Sequence, residues 1–228
     1  MHDRVPADDG GRVVEPLSER ERPLIVIADD QALFREALEE LFASVGMDTL
    51  CFENADGLLS AALPDRPGCF ILDVRMPGLS GLDLQVELSR TARAMPIIFL
   101  TGHGDVPMSI RAMKAGAFEF KTKPVSEQDL LDAVSAAVDA DRASRAEDLV
   151  TRECAAKLEA LSARERQVLR LIVNGLLNKQ IAYELGVTEV TVKLHRGNVM
   201  RKTGARSVAE LVRLWDRLPE GLRPIEAG

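Results

Sequence analysis

With 228 residues, 46% of them hydrophobic and 29% charged, the chain is long enough for about two domains of ordinary size. No apolar run approaches the roughly 20 residues of a membrane span and no basic-then-apolar leader opens the chain, so no membrane partner is expected and the cytoplasm is the expected compartment. The scattered Cys51, Cys69 and Cys154, without a CxxC pair or a Cys/His cluster, exclude a disulfide framework and a zinc site.

The formal net charge of −7 is unevenly spread, with −9 over residues 23–139 and +5 over residues 161–228. An acidic front and a basic back suit only the back to a polyanion.

Residues 1–22 carry Pro6, Gly10, Gly11 and Pro16 among mixed charges without apolar periodicity, which predicts a disordered leader. From Pro23 short apolar runs alternate with helical stretches: strand 24–28, helix 31–45, strand 48–52, helix 54–63, strand 68–73, helix 82–92, strand 96–101, helix 105–115, strand 117–121, and a helix from 126. Such alternation predicts an α/β doubly wound five-stranded parallel sheet over residues 23–139. The helix from Ser126 meets neither Gly nor Pro through residue 157, so a helical linker is expected over 140–160.

Beyond the linker the punctuation predicts a small all-α unit over 161–218 and a tail at 219–228. Ser162 stands three residues before Glu165, the capping-box spacing, and opens helix 163–173, which ends at Asn174-Gly175. Asn178 is expected to cap 179–185, Thr188 to cap 189–203 with Gly204 closing it, and Ser207 to open a last helix to about Leu218. The middle pair has the short connection of a helix-turn-helix.

Three strands end on chemistry. Leu24–Ala28 runs into Asp29 and Asp30, Cys69–Leu72 into Asp73, and Ile97–Leu100 into Thr101; a fourth run, Ala117–Phe120, leads to Lys123-Pro124. Parallel strands put their C-terminal ends at one edge of the sheet, where α/β folds bind ligands. Three carboxylates at such an edge repel one another unless a divalent cation lies between them, and hard oxygen ligands favour Mg²⁺. Lys123 and Thr101 add an ammonium and a hydroxyl suited to a small dianion such as a phosphoryl group, with Asp73 as the nucleophile that would form an acyl phosphate.

The set Asp29-Asp30, Asp73, Thr101 and Lys123-Pro124 resembles the receiver domain of two-component response regulators. The run Leu100 to Met108 with Ala112 to Ala117 resembles the FixJ type more narrowly. Leu161 to Leu169, Asn178 to Ala182 and Thr191 to Arg196 resemble the LuxR-type DNA-binding domain, so the whole is similar to the NarL/FixJ-type regulators. The resemblance implies a regulator rather than an enzyme, although the receiver assists its own phosphotransfer and dephosphorylation. Asp73 would take phosphoryl from a sensor histidine kinase, and Asp30, Asp73 and the backbone carbonyl of Arg75 would hold Mg²⁺ with help from Asp29. Thr101 and Lys123 would bind phosphoryl oxygens, and Phe120 would be the switch aromatic. A haloacid-dehalogenase-like phosphatase would need a second Asp two residues after the nucleophile, where Arg75 stands.

Phosphorylation adds about −1.5 to −2 charge at Asp73, expected to shift the surface around 105–121 and favour a homodimer. On the basic unit the expected DNA contacts are Lys179, Thr188, Thr191, Lys193, Leu194, Arg196, Gly197, Asn198, Arg201 and Lys202, reading double-stranded promoter DNA from the major groove. Gly197 departs from the family, which usually carries a side chain there. Two copies on half-sites and a contact with RNA polymerase that activates transcription complete what the resemblance implies.

Overall fold

The computed structural model describes residues 22–90, 95–102 and 106–219. The expected leader, apart from Arg22, the tail, apart from Pro219, and the His103–Asp105 part of the FixJ-like run lie outside the described residues. The chain divides into two compact units, Met1–Ala143 and Ser144–Gly228.

In the first unit the strands are β1 (Leu24–Ala28), β2 (Asp48–Phe52), β3 (Gly68–Leu72), β4 (Ile97–Thr101) and β5 (Glu119–Thr122). They pair in parallel in the order β2-β1-β3-β4-β5. Its helices are α1 (Ala32–Ser44), α2 (Ala55–Ser60), α3 (Gly81–Arg90), α4 (Val106–Lys114) and the start of α5 (Glu127–Glu159). Every residue of β1, β3 and β4 is buried, as expected of parallel strands covered on both faces. Side-chain alternation splits the core in two. Val26, Phe70, Leu72 and Phe99 pack with Leu58 of α2 and Leu84 of α3, whereas Ile25, Ile27, Ile71, Ile98 and Leu100 pack with Phe42 of α1 and Val134 of α5.

The helix expected at 54–63 is shorter, Ala55–Ser60. Asn54 caps it, its Oδ1 accepting from the Gly57 amide at 2.9 Å, and the chain turns extended at Ala61. The last strand begins two residues later than expected because the Ala117 amide still closes α4, on the Ala112 carbonyl. Gly68 opens β3 where a Cβ would collide with the Leu24 carbonyl oxygen, and its amide donates to Oδ2 of the buried Asp141 at 2.9 Å. The side of α5 that the sequence assigns to the linker is therefore already tied to the sheet at Asp141.

The second unit joins the end of α5 to α6 (Ala163–Val173), α7 (Asn178–Glu184), α8 (Glu189–Thr203) and α9 (Val208–Asp216) around Leu158, Leu161, Leu169, Ile172, Ile181, Val192, Val199 and Leu211. The capping box is complete, with the Glu165 amide on Ser162 Oγ and the Ser162 amide on Glu165 Oε2. Thr188 and Ser207 cap α8 and α9, and Gly204, at φ 73°, ends α8 in the left-handed conformation that glycine adopts most readily. Asn178 corrects the sequence reading: it lies inside α7, and the N-cap is Leu177, whose amide is taken by Gln180 Oε1 at 2.8 Å. The Asn178 carboxamide is instead used across the helix pair, accepting from Arg196 at 3.1 Å.

Candidate functional site

At the C-terminal ends of β1 and β3, where the strand order reverses, the chain leaves the sheet through Asp29-Asp30 and Asp73. One carboxylate oxygen from each of these three aspartates lies within 4.8 Å of the others. Asp29 and Asp73 are buried, at 2% and 4% exposure, and Asp30 faces solvent. Backbone geometry holds them: the Asp73 amide donates to the Ala28 carbonyl at 2.8 Å, and Asp73 Oδ1 accepts from the Arg75 amide at 3.2 Å. Asp29 Oδ1 accepts from the Gln31 amide at 3.0 Å.

Lys123 follows β5, and its peptide with Pro124 is cis. Its amide donates to the Thr101 carbonyl, and its ammonium sits 2.5 Å from Asp29 Oδ2 and 3.5 Å from Asp73 Oδ2. Burial pushes the Asp29 carboxyl above its ordinary range, and the hydrogen bond from Lys123 offsets part of that shift. A buried carboxylate whose charge is only partly compensated, beside two more of the same sign, is the donor set that a hard divalent cation fits. Thr101 ends β4 as a buried residue on the strand next to β3. Phe120 is half-buried on β5, its ring 6.1 Å from that of Phe99.

Three residues of this site escape the sequence reading. Phe34 places its ring 3.9 Å from the Lys123 ammonium, and Arg35 donates to the Asp29 carbonyl at 2.6 Å. Both lie within the first turn of α1 after Asp30, so proximity in sequence was their one available signal. Gly81 is the third: a Cβ there would collide with the Asp73 carbonyl oxygen, so glycine lets α3 start against the Asp73 backbone.

The basic set divides by orientation. Lys193, Leu194, Gly197 and Arg201 are exposed on α8, opposite the buried Val192 and Val199, and Asn198 accepts from Arg201 at 3.4 Å. Lys179 is exposed on α7, and Thr188 is used as the cap of α8 with Thr191 beside it at 3.0 Å. Two cations turn inward. Arg196 is held by Asn178, and Lys202 donates to Glu165 Oε2 at 2.7 Å and to the Ala160 carbonyl at 3.2 Å. The hydrogen bond from Lys202 is the main reason that the Glu165 carboxyl is held below the usual range.

A doubly wound sheet with an aspartate cluster at its switch point, followed by a helix-turn-helix unit, defines a receiver joined to a DNA-binding unit. Residues 25–135 match the response regulator receiver domain, and residues 159–215 match the luxR family of bacterial regulatory proteins. The chain is 47% identical over 197 residues to nodulation protein W of Bradyrhizobium diazoefficiens, covering 86% of this chain and 87% of that one. It is 43% identical over 192 residues to the transcriptional regulatory protein FixJ of Azorhizobium caulinodans, covering 84% and 90%. Among solved structures, the response regulator StyR superposes with a TM-score of 0.78 at 44% identity, covering 86% of this chain and 99% of that one. The chain belongs to the response regulators that carry a receiver domain and a LuxR-type DNA-binding domain. None of the described helices is long and apolar enough to cross a membrane.

Proposed function

We propose that Asp73 is the phosphoacceptor of a switch that controls promoter binding, with a receiver over 23–139, a helical linker over 140–160 and a DNA-binding domain over 161–218. The observation that carries this reading is the juxtaposition of buried Asp73 with two more carboxylates and the Lys123 ammonium at the end of β3. An Asp73 carboxylate oxygen attacks the phosphorus of a phosphohistidine on a sensor histidine kinase. The P–N bond breaks, the imidazole leaves with its electron pair and takes up a proton, and an acyl phosphate remains on Asp73. Mg²⁺, held by Asp29, Asp30, Asp73 and the Arg75 carbonyl, would neutralise charge on the transferring group.

Lys123 then exchanges part of its hold on Asp29 for a phosphoryl oxygen, and the Thr101 hydroxyl donates to another. Movement of Thr101 draws Phe120 inward and shifts α4. Val106, Ile110 and Met113 are exposed on α4 with Phe118 beside β5, an apolar surface suited to a second copy of the chain. Two copies place two α8 helices on half-sites of double-stranded DNA, using Lys179, Thr188, Thr191, Lys193, Leu194, Gly197, Asn198 and Arg201. Arg196 and Lys202 act behind that surface, positioning α8 against α7 and α6. Contact with RNA polymerase in the cytoplasm makes the bound dimer an activator.

The test is sedimentation and DNA binding of the full chain with and without acetyl phosphate and Mg²⁺, beside Asp73→Asn. Donor-dependent dimerisation and tighter DNA binding are expected only with Asp73 present, and chelation of Mg²⁺ by EDTA should abolish both. Equal DNA binding by the untreated wild type would overturn the switch.

A further inference from the structure

Val190 and Leu194 are among the most exposed large apolar side chains of the chain, at 75% and 64%, and they stand on the helix that carries the outward cations. Four residues apart, they lie one above the other. At about 100° per residue, Gly197 and Arg201 continue the same line down α8, directly opposite the buried Val192 and Val199. Lys193 flanks the line on one side and Asn198 on the other.

Gly197 has no conformational reason to be glycine. Its φ is not positive, and a Cβ built on it meets nothing within 4 Å. In the interior of α8 it lowers helix stability relative to alanine. A glycine that neither packing nor backbone requires, in line with two exposed aliphatic side chains, leaves a notch in the outward face of the helix.

From this geometry we infer that Val190, Leu194 and the Gly197 notch form an apolar reading edge for thymine methyl groups in the major groove. The inference rests on the DNA-binding reading of α8 above and names what that face selects. The N-terminal residues of a recognition helix meet base edges, and Val190 and Leu194 are at that end of α8. Among the four bases of DNA only thymine presents a methyl in the major groove, and aliphatic side chains discriminate it by contact. Lys193 and Arg201 supply the phosphate attraction that holds the face down, and the missing side chain at Gly197 lets the helix axis approach the bases. Operator half-sites should therefore carry thymines under the first two turns of α8.

The test begins with duplexes selected from a random library by the full chain in the presence of acetyl phosphate and Mg²⁺. Each thymine of the selected site is then replaced by deoxyuracil, which removes the methyl and nothing else. Wild type should lose about four-fold in affinity at one or two thymines per half-site, the value of one buried methyl. Leu194→Ala or Val190→Ala should bind the thymine and uracil versions of its own position equally. Gly197→Ala should melt higher than wild type yet bind the selected site more weakly. Uracil replacement that costs wild type and both alanine variants the same, or costs none of them anything, would overturn the reading edge while leaving DNA binding intact. Tighter or unchanged binding by Gly197→Ala would remove the notch. Failure to enrich any sequence would instead bring down the DNA-binding reading and this inference with it.

Discussion

Asp73 depends on a glycine eight residues away. The Gly81 amide donates to the Val74 carbonyl at 3.0 Å, and the absence of a Cβ allows the Asp73 carbonyl to lie against the start of α3. Gly81→Ala should displace that turn, lower stability by about 1–3 kcal/mol through overpacking, and slow phosphorylation by acetyl phosphate at least tenfold. Gly57→Ala is the matched control, since its Cβ would make ordinary contacts at 3.4 Å and 3.6 Å inside α2. Equal phosphorylation rates for the two variants would show that Gly81 does not position Asp73. Cys51 and Cys69 belong to the same scale: burial first, and a hydrogen bond with Glu39, push the Cys51 thiol up to about 12, and burial raises the Cys69 thiol as well, so both stay protonated near neutral pH.

At the scale of elements, α6 and α8 are joined through one carboxylate. Glu165 closes the capping box on Ser162 and accepts from Lys202 near the end of α8. Its folded carboxyl is held below the ordinary value, so its contribution is complete above about pH 4.3 and disappears as pH falls through the folded value. Glu165→Gln keeps a capping acceptor but loses the charged pairing, at a cost of about 1.5–3 kcal/mol near neutrality. Urea unfolding followed by Trp215, the single tryptophan of the chain and part of this unit's core, reads that difference. The gap between wild type and variant should narrow below about pH 4.3; a gap that stays constant through acid would assign the loss to packing instead of charge.

For the whole molecule, the consequence proposed for phosphorylation is assembly. The exposed Ile110 and Met113 of α4 face no partner within one copy to the extent that buried core residues do, being about half exposed at 48% and 47%. Ile110→Asp with Met113→Asp should leave Asp73 phosphorylation unchanged and weaken the phosphorylated dimer at least tenfold, seen by sedimentation. Dimers of normal affinity in that variant would move the interface elsewhere, with α9 the next surface to test. Two-fold pairing also predicts operators with half-sites about one helical turn, roughly 34 Å, or a multiple of it apart.

The alternation of strands and helices, the strand-end residues Asp29, Asp30, Asp73, Thr101 and Lys123, and the ends of α6 and α8 were legible in the sequence by itself. Apolar runs, turns and caps act over a few residues, so their physics is written locally. Only the tertiary structure decided which polar groups use one another. Asn178 reads as a cap until Arg196, 18 residues on, takes its carboxamide, and the Lys202 ammonium is paired with Glu165, 37 residues back. The carboxylate of Asp141 takes the amide of Gly68 from 73 residues away. Partners so far apart in the chain are chosen by how the elements pack, and a buried polar group costs too much to leave unmatched once packing has enclosed it.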